Sequence, residues 1–173
     1  MVEIDLGFSR RDSGLITPIP TEQRKLVHAD IVRMFGSDYR ERIRDKARAF
    51  GLSDEIQFFD EPMPHVGSQA LYLAQQFMGD HLVLVPVLRP HMRTSKHHHE
   101  IPMFNEVYSH VAGESFIDAG EKRFVLNKDQ DLIEVPLNVS HQVTTKESPS
   151  LTLIIMRNAR LVPSGRLHIK DTE

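Results

Sequence analysis

The stretch RTSKHHHEIPMFNEVYSHVAG, residues 93–113, decides how this chain is read. In a β-strand, side chains at i and i+2 share a face. His97 and His99 therefore point one way and His98 the other. On the following strand Glu106, Tyr108 and His110 share a face, and Val107, Ser109 and Val111 share the opposite one. Further on, VPLNVSHQV at 135–143 puts Val139, His141 and Val143 on one face. Folded together, these strands bring two imidazoles, one carboxylate and a third imidazole to a common point. Three nitrogens and one oxygen suit iron, manganese, nickel, cobalt or zinc. A triple histidine can also be a surface accident, and an inward histidine is often a satisfied core group. Against that, the run is internal rather than a terminal tag. Its partners also sit at strand-compatible places, and buried carboxylates and imidazoles need partners that a cation supplies at once.

The surroundings of this stretch read as short strands. HLVLVPVL at 81–88 is rich in β-formers, with Pro86 implying an edge or a bulge. Strands are expected at 95–100, 105–112, 115–118, 122–127, 131–135, 139–145 and 150–157. Turn residues such as Gly113, Gly120 and Asn127–Lys128–Asp129 separate them. That rhythm predicts a small antiparallel barrel or sandwich. ALYLAQQFM at 70–78 fits a short helix or a strand equally. No internal repeat or low-complexity segment interrupts the pattern.

Upstream the texture changes. Residues 1–20 have no steady period and end in TPIP, an irregular arm. Thr21 can cap a helix over about 22–35, with Leu26, Ile31, Val32 and Phe35 towards one side and Gly36 as its stop. Ser37 can cap a second helix over about 38–50, ended by Gly51. Ile43, Ala47 and Phe50 recur there at helical spacing, against a solvated face of Arg40, Arg44 and Arg48. Pro62, Pro64 and Gly67 mark a boundary. The organisation expected is an arm with two short helices over 1–66, a barrel over 67–160 and a tail over 161–173.

Composition bounds the partners. The 173 residues carry 40% hydrophobic and 26% charged side chains, ordinary globular usage. The net charge of −3 is evenly spread, so no basic region exists to neutralise phosphates. Nucleic acid and anionic membrane are accordingly not expected as partners. The two helices, joined only by Gly36–Ser37, show no base-reading pattern. There is no cysteine, which removes disulfides, thiolate metal sites and a cysteine nucleophile together. No apolar run approaches a spanning length, and the N-terminus is acidic first and lacks an apolar core. A cytoplasmic location is expected.

The motif spacing resembles the cupin superfamily, over about residues 80–158. That family's first motif has the form G-x5-HxH-x(3–6)-E-x6-G, which His97, His99, Glu106 and Gly113 match. Its second has the form G-x5-PxG-x2-H-x3-N, which Pro136 and His141 match. His91 and Gln130 stand where the leading glycines are expected, Asn138 replaces the glycine after Pro136, and Thr145 replaces the closing Asn. These departures concern turns, not ligands. The resemblance implies an all-β, cupin-type antiparallel barrel or jelly roll with an N-terminal helical extension. It implies a divalent transition metal on His97, His99, Glu106 and His141, with Fe(II) expected and Mn, Ni, Co or Zn as alternatives. Many cupin oxygenases and decarboxylases have four residues between HxH and Glu. The six here, followed by EVY, are similar to the archaeal cupin-type glucose-6-phosphate isomerases.

Three functional readings follow. The first is a non-haem iron dioxygenase acting on a small chelating substrate, supported by the apolar Val139 and Val143 beside His141. The second is a metal-dependent sugar or sugar-phosphate isomerase or epimerase, in which the ion polarises a hydroxy-carbonyl pair and a base moves a proton. The third is a non-catalytic ligand-binding cupin. Tyr108 and His110 are the candidate catalytic partners, with packing as the plainer alternative for each. His91 and Arg93, leading into the HxH strand, are candidates to meet an anionic substrate, with Val139 and Val143 as its apolar walls. A homodimer is expected by analogy with the fold.

Overall fold

The computed structural model describes residues 9–13, 26–64, 68–99 and 105–156. Thr21, Gly67, the 161–173 tail and the outer ends of the strands expected at 95–100 and 150–157 lie outside these residues. Eleven strands and two helices are described: β1 (Ser9–Ser13), α1 (His28–Phe35), α2 (Tyr39–Ala49), β2 (Met63–Pro64), β3 (Leu71–Met78), β4 (His81–Leu88), β5 (Lys96–His99), β6 (Glu106–Gly113), β7 (Ser115–Ala119), β8 (Lys122–Leu126), β9 (Leu132–Val135), β10 (His141–Thr144) and β11 (Ser150–Met156). They form a five-stranded sheet, β1-β5-β10-β7-β8, and a six-stranded sheet, β2-β3-β4-β11-β6-β9. The strand pairs are antiparallel. The expected antiparallel β architecture, with helices on the N-terminal side of the sequence, is the one observed.

Two cores lie on opposite faces of the six-stranded sheet. One fills the space between the sheets, with Leu84, Tyr108, Ile117, Leu126, Ile133, Val143 and Ile154 among its members. The other joins the same sheet to the helices through Phe35, Tyr39, Ile43 and Ala47 against Leu73, Val85, Val107 and Leu153. Covering both faces explains why β4 and β11 are buried almost throughout and read as continuous apolar runs.

Two element readings change. The first helix begins at His28, not near residue 22. Val27 is extended (φ −91°, ψ 161°), and its N–H donates to Asp30 Oδ2 at 3.3 Å. An acidic group in the first turn thus satisfies an open helix donor. Residues 71–78 are a strand, and the ambiguity arose because β3 sits in the sheet covered on both faces. Pro86 marks a bulge as expected, displaced onto the partner strand. Tyr72 pairs with Pro86, and the register slips between Tyr72 and Ala74. Gly36 (φ 94°) and Gly51 (φ 71°) close the helices where the sequence placed their stops. Among the described residues no helix is long and apolar enough to cross a membrane.

Candidate metal centre

The ligand set spans the gap between the two sheets. His97 and His99 stand two apart on β5, and His141 opens β10 directly opposite His97. Glu106 opens β6 in the other sheet, opposite Val135 and Met156. Three imidazoles from one sheet thus meet one carboxylate from the other. One ligand atom from each of the four lies within 4.8 Å of the rest. The imidazole centroids are 4.3 Å apart for His97–His141, 5.0 Å for His97–His99 and 5.4 Å for His99–His141. His99, Glu106 and His141 are buried.

The hydrogen bonds test whether a cation fits. A backbone carbonyl can only accept, so His141 Nδ1–H donates to Val139 O at 2.9 Å. In the neutral ring Nε2 then carries a lone pair, and it faces Glu106 Oε2 at 2.7 Å. Two lone pairs at that separation repel unless a positive charge lies between them. That charge is either a second proton on the imidazole or a metal ion. His99 Nε2 converges on the same oxygen at 3.0 Å. His97 Nδ1–H donates to Ser95 O at 2.9 Å, which leaves its Nε2 lone pair for a cation. Outward Nδ1–H bonds of this kind fix tautomer and ring orientation for metal binding. The donor set therefore fits a divalent transition metal.

Electrostatics agree. Burial alone would raise the Glu106 carboxyl, but the charges of His141 and His99 and their hydrogen bonds hold it well below its ordinary range. Burial lowers His97 to about 4; Glu106 opposes this, while His141 and His99 reinforce it. At neutral pH the site offers a carboxylate and an unprotonated His97, the forms that ligate.

The backbone around the ligands is held by short-range devices. Asn138 takes the left-handed conformation (φ 61°) that the family pattern assigns to glycine at this turn, and its N–H donates to His99 O at 2.8 Å. The turn that delivers His141 is thereby tied to the HxH strand. Asn105, immediately before Glu106, accepts from Leu137 N–H at 3.2 Å and donates to Glu134 at 2.8 Å. It links the two motifs, a role the sequence did not single out. The one available signal was its place beside the carboxylate.

The other expected site residues divide. Tyr108 is fully buried beside the cluster, its ring edge-on to His141 at 6.3 Å, and burial, then the Glu106 charge, holds its hydroxyl well above the ordinary range. Val143 belongs to the core between the sheets and Val139 packs against it. His110 is not brought to the cluster. It lies four residues along β6, about 13 Å away at strand spacing. There its Nε2–H donates to Gly113 O at 2.9 Å, and its Nδ1 lies 3.6 Å from Asp129. His91 and Arg93 are exposed: His91 Nε2 lies 3.4 Å from Glu147, and Arg93 bridges to Thr144 through its backbone. Tyr72, read only as part of an ambiguous segment, packs against the inter-sheet core. Burial, then the Glu106 charge, pushes its hydroxyl well above the ordinary range.

No family model and no curated protein matches the chain. Among solved structures, one of DMSP lyases is similar at 29% identity, over 47% of this chain and 40% of that one, with a TM-score of 0.41. A cupin-like protein from Thermotoga maritima shares 24% identity over 49% of this chain and 62% of its own, with a TM-score of 0.41. An RmlC-like cupin from Shewanella frigidimarina shares 17% over 64% of this chain and 96% of its own, with a TM-score of 0.49. The chain thus spans less than two thirds of the length of the first two. The molecule's own features are a two-sheet antiparallel β architecture with the HxH pair, Glu106 and His141 converging between the sheets, a group of side chains that could hold a metal ion.

Proposed function

We propose that the protein is a metal-dependent cupin enzyme, a non-haem iron dioxygenase acting on a small organic substrate that chelates the ion. The observation that carries this reading is the convergence of His97, His99, Glu106 and His141 beside apolar walls. An iron(II) ion held by these four side chains would supply the electron path between a chelated substrate and dioxygen. The protein's own residues do the rest. His97 and His141 are held by carbonyls in the tautomer that presents Nε2. Burial followed by the Glu106 charge keeps the Tyr108 phenol protonated at neutral pH, a donor beside the ligand set. Val139 and Val143 present an apolar surface beside His141, which favours a non-polar ring or chain and excludes water.

Elemental analysis of protein purified without chelators, with oxygen uptake on a panel of catechols and diones, tests the reading. Bound iron and substrate-dependent uptake are expected. His99→Ala and His141→Ala should strip the metal and abolish turnover while the barrel stays folded. Full metal content in both variants would overturn the ligand assignment.

A second reading, a sugar or sugar-phosphate isomerase, draws on the Tyr108 hydroxyl against Glu106, a proton-bearing group at the ligand set. Turnover of a phosphosugar that is indifferent to oxygen would select it over the first.

A further inference from the structure

The segment between β9 and β10 touches each of the buried ligands in turn. Val135 pairs with Glu106 in the ladder. Leu137 donates its N–H to Asn105 Oδ1 at 3.2 Å, beside the same carboxylate. Asn138 donates its N–H to His99 O at 2.8 Å, and Val139 O accepts from His141 Nδ1–H at 2.9 Å. One short stretch thus crosses from the sheet that carries the carboxylate to the sheet that carries the imidazoles, and it grips a ligand strand on both sides.

Of these ties, one depends on a particular side chain next to the carboxylate. The β6–β9 register places Asn105 opposite Pro136, which has no N–H to give, so the ladder stops at Glu106. The Asn105 side chain carries the pairing past that point. Its Oδ1 accepts from Leu137, one residue beyond the proline, and its Nδ2 donates to Glu134 Oε1 at 2.8 Å, back on β9. Both ends of the amide are used, and the backbone N–H on one side fixes which end is the acceptor. Asn105 immediately precedes Glu106, the ligand that the six-stranded sheet contributes.

We infer that Asn105 is a positioning residue for the metal centre: through Leu137 and Glu134 it fixes where the Glu106 carboxylate stands relative to His97, His99 and His141. The inference rests on the metal-centre reading above. The imidazoles have ties of their own, His97 and His141 through their Nδ1–H bonds and His99 through Asn138. Glu106 opens its strand, and beyond it the Asn105 amide takes the place of the missing ladder bond. Removing the amide therefore shifts the carboxylate against imidazoles that stay where they are, and the hold on the ion weakens in a protein that still folds.

The test needs no turnover. Cobalt(II) is the probe, because its visible absorption reports the arrangement of the ligands around it. Wild type should bind it and show d–d bands. Asn105→Ala removes both bonds. It should weaken cobalt binding roughly tenfold, as loss of a group that orients a ligand does, and alter the bands, while thermal unfolding of the metal-free protein stays within a few degrees of wild type. Asn105→Asp keeps the acceptor for Leu137 but sets a carboxylate against Glu134, and should also alter the bands. Adding Glu134→Gln to Asn105→Asp restores the bond with donor and acceptor exchanged and the net charge unchanged, and should return the bands to their wild-type form. Wild-type affinity and bands in Asn105→Ala overturn the inference, and so do bands that stay altered in the double variant. Destabilised metal-free protein in Asn105→Ala, with no recovery in the double variant, overturns it in favour of a structural role. Absence of cobalt binding in wild type overturns the metal-centre reading and this inference with it.

Discussion

His91 and Asn138 hold backbone that glycine usually occupies, at φ 60° and φ 61°. Both are positions where the motif pattern has glycine, so the geometry of the turns is kept although the residue is not. Asn tolerates this region through its short polar side chain, and His less well. The contact of His91 with Glu147 is exposed and contributes little. His91→Gly should therefore leave stability unchanged or raise it by up to about 1 kcal/mol, read from the urea midpoint. A second prediction concerns acid. His97 titrates near 4 when folded and near 6.5 when unfolded, so between those values the unfolded chain binds a proton that the folded chain refuses. The stability is fully present above pH 6.5 and is lost as the pH falls towards 4. The Glu106 contribution is present above the ordinary carboxylate range and is lost only as the pH falls through its depressed folded value. Between pH 7 and 5, chelator-treated wild type should lose roughly 2 kcal/mol more than His97→Asn. Equal losses in urea titrations of the two would refute the His97 assignment. At this scale the convergence of His97, His99, Glu106 and His141 was legible because period-two alternation and motif spacing both point to them. Asn105 was not, since it acts through a turn bond that no local pattern announces.

Among elements, the β6–β7 corner is the tightest. Gly113 has φ 74°, and a Cβ there would lie 1.8 Å from Pro149 O, the backbone just before β11. Gly113→Ala must displace either the corner or the start of β11, so it should cost more than about 3 kcal/mol and reduce soluble yield. A thermal midpoint within a few degrees of wild type would show that the corner yields easily. The strands from β4 onward were readable because short β-rich runs alternate with turn residues. β3 was not, because a strand covered on both faces loses its alternation and LYLAQQFM then serves a helix equally well. The start of α1 escaped for a different reason: an acidic side chain two residues inside the helix caps it, so the capping signal does not precede the apolar run.

On the scale of the molecule, the six-stranded sheet separates two tasks. Its inner face carries Glu106 and the core between the sheets, and its outer face carries the helices. Among the described residues, the strand orders leave β1 and β8 at the edges of one sheet and β2 and β9 at those of the other. Such edges are open to pairing with a second copy. A solution mass of twice the 19.9 kDa chain is the expected result of light scattering, and a monomer at high concentration would refute it. The helix layer is strapped on by more than apolar contact: Arg42 donates to Val111 O and Lys46 to Asp129 O. Ile43 is wholly buried in that layer, on the face of the sheet opposite the ligands. Truncating it leaves a cavity between α2 and the sheet, so Ile43→Ala should cost about 2–4 kcal/mol of unfolding free energy. Because the ligand geometry is set by β5, β6, β10 and the Asn138 turn, none of which includes Ile43, the folded variant should bind metal with wild-type stoichiometry and affinity. Unfolding by urea and metal titration on the same sample measure the two quantities separately. A variant that keeps its stability but loses metal affinity would mean that the helices hold the ligand geometry through the sheet, contrary to the separation argued here.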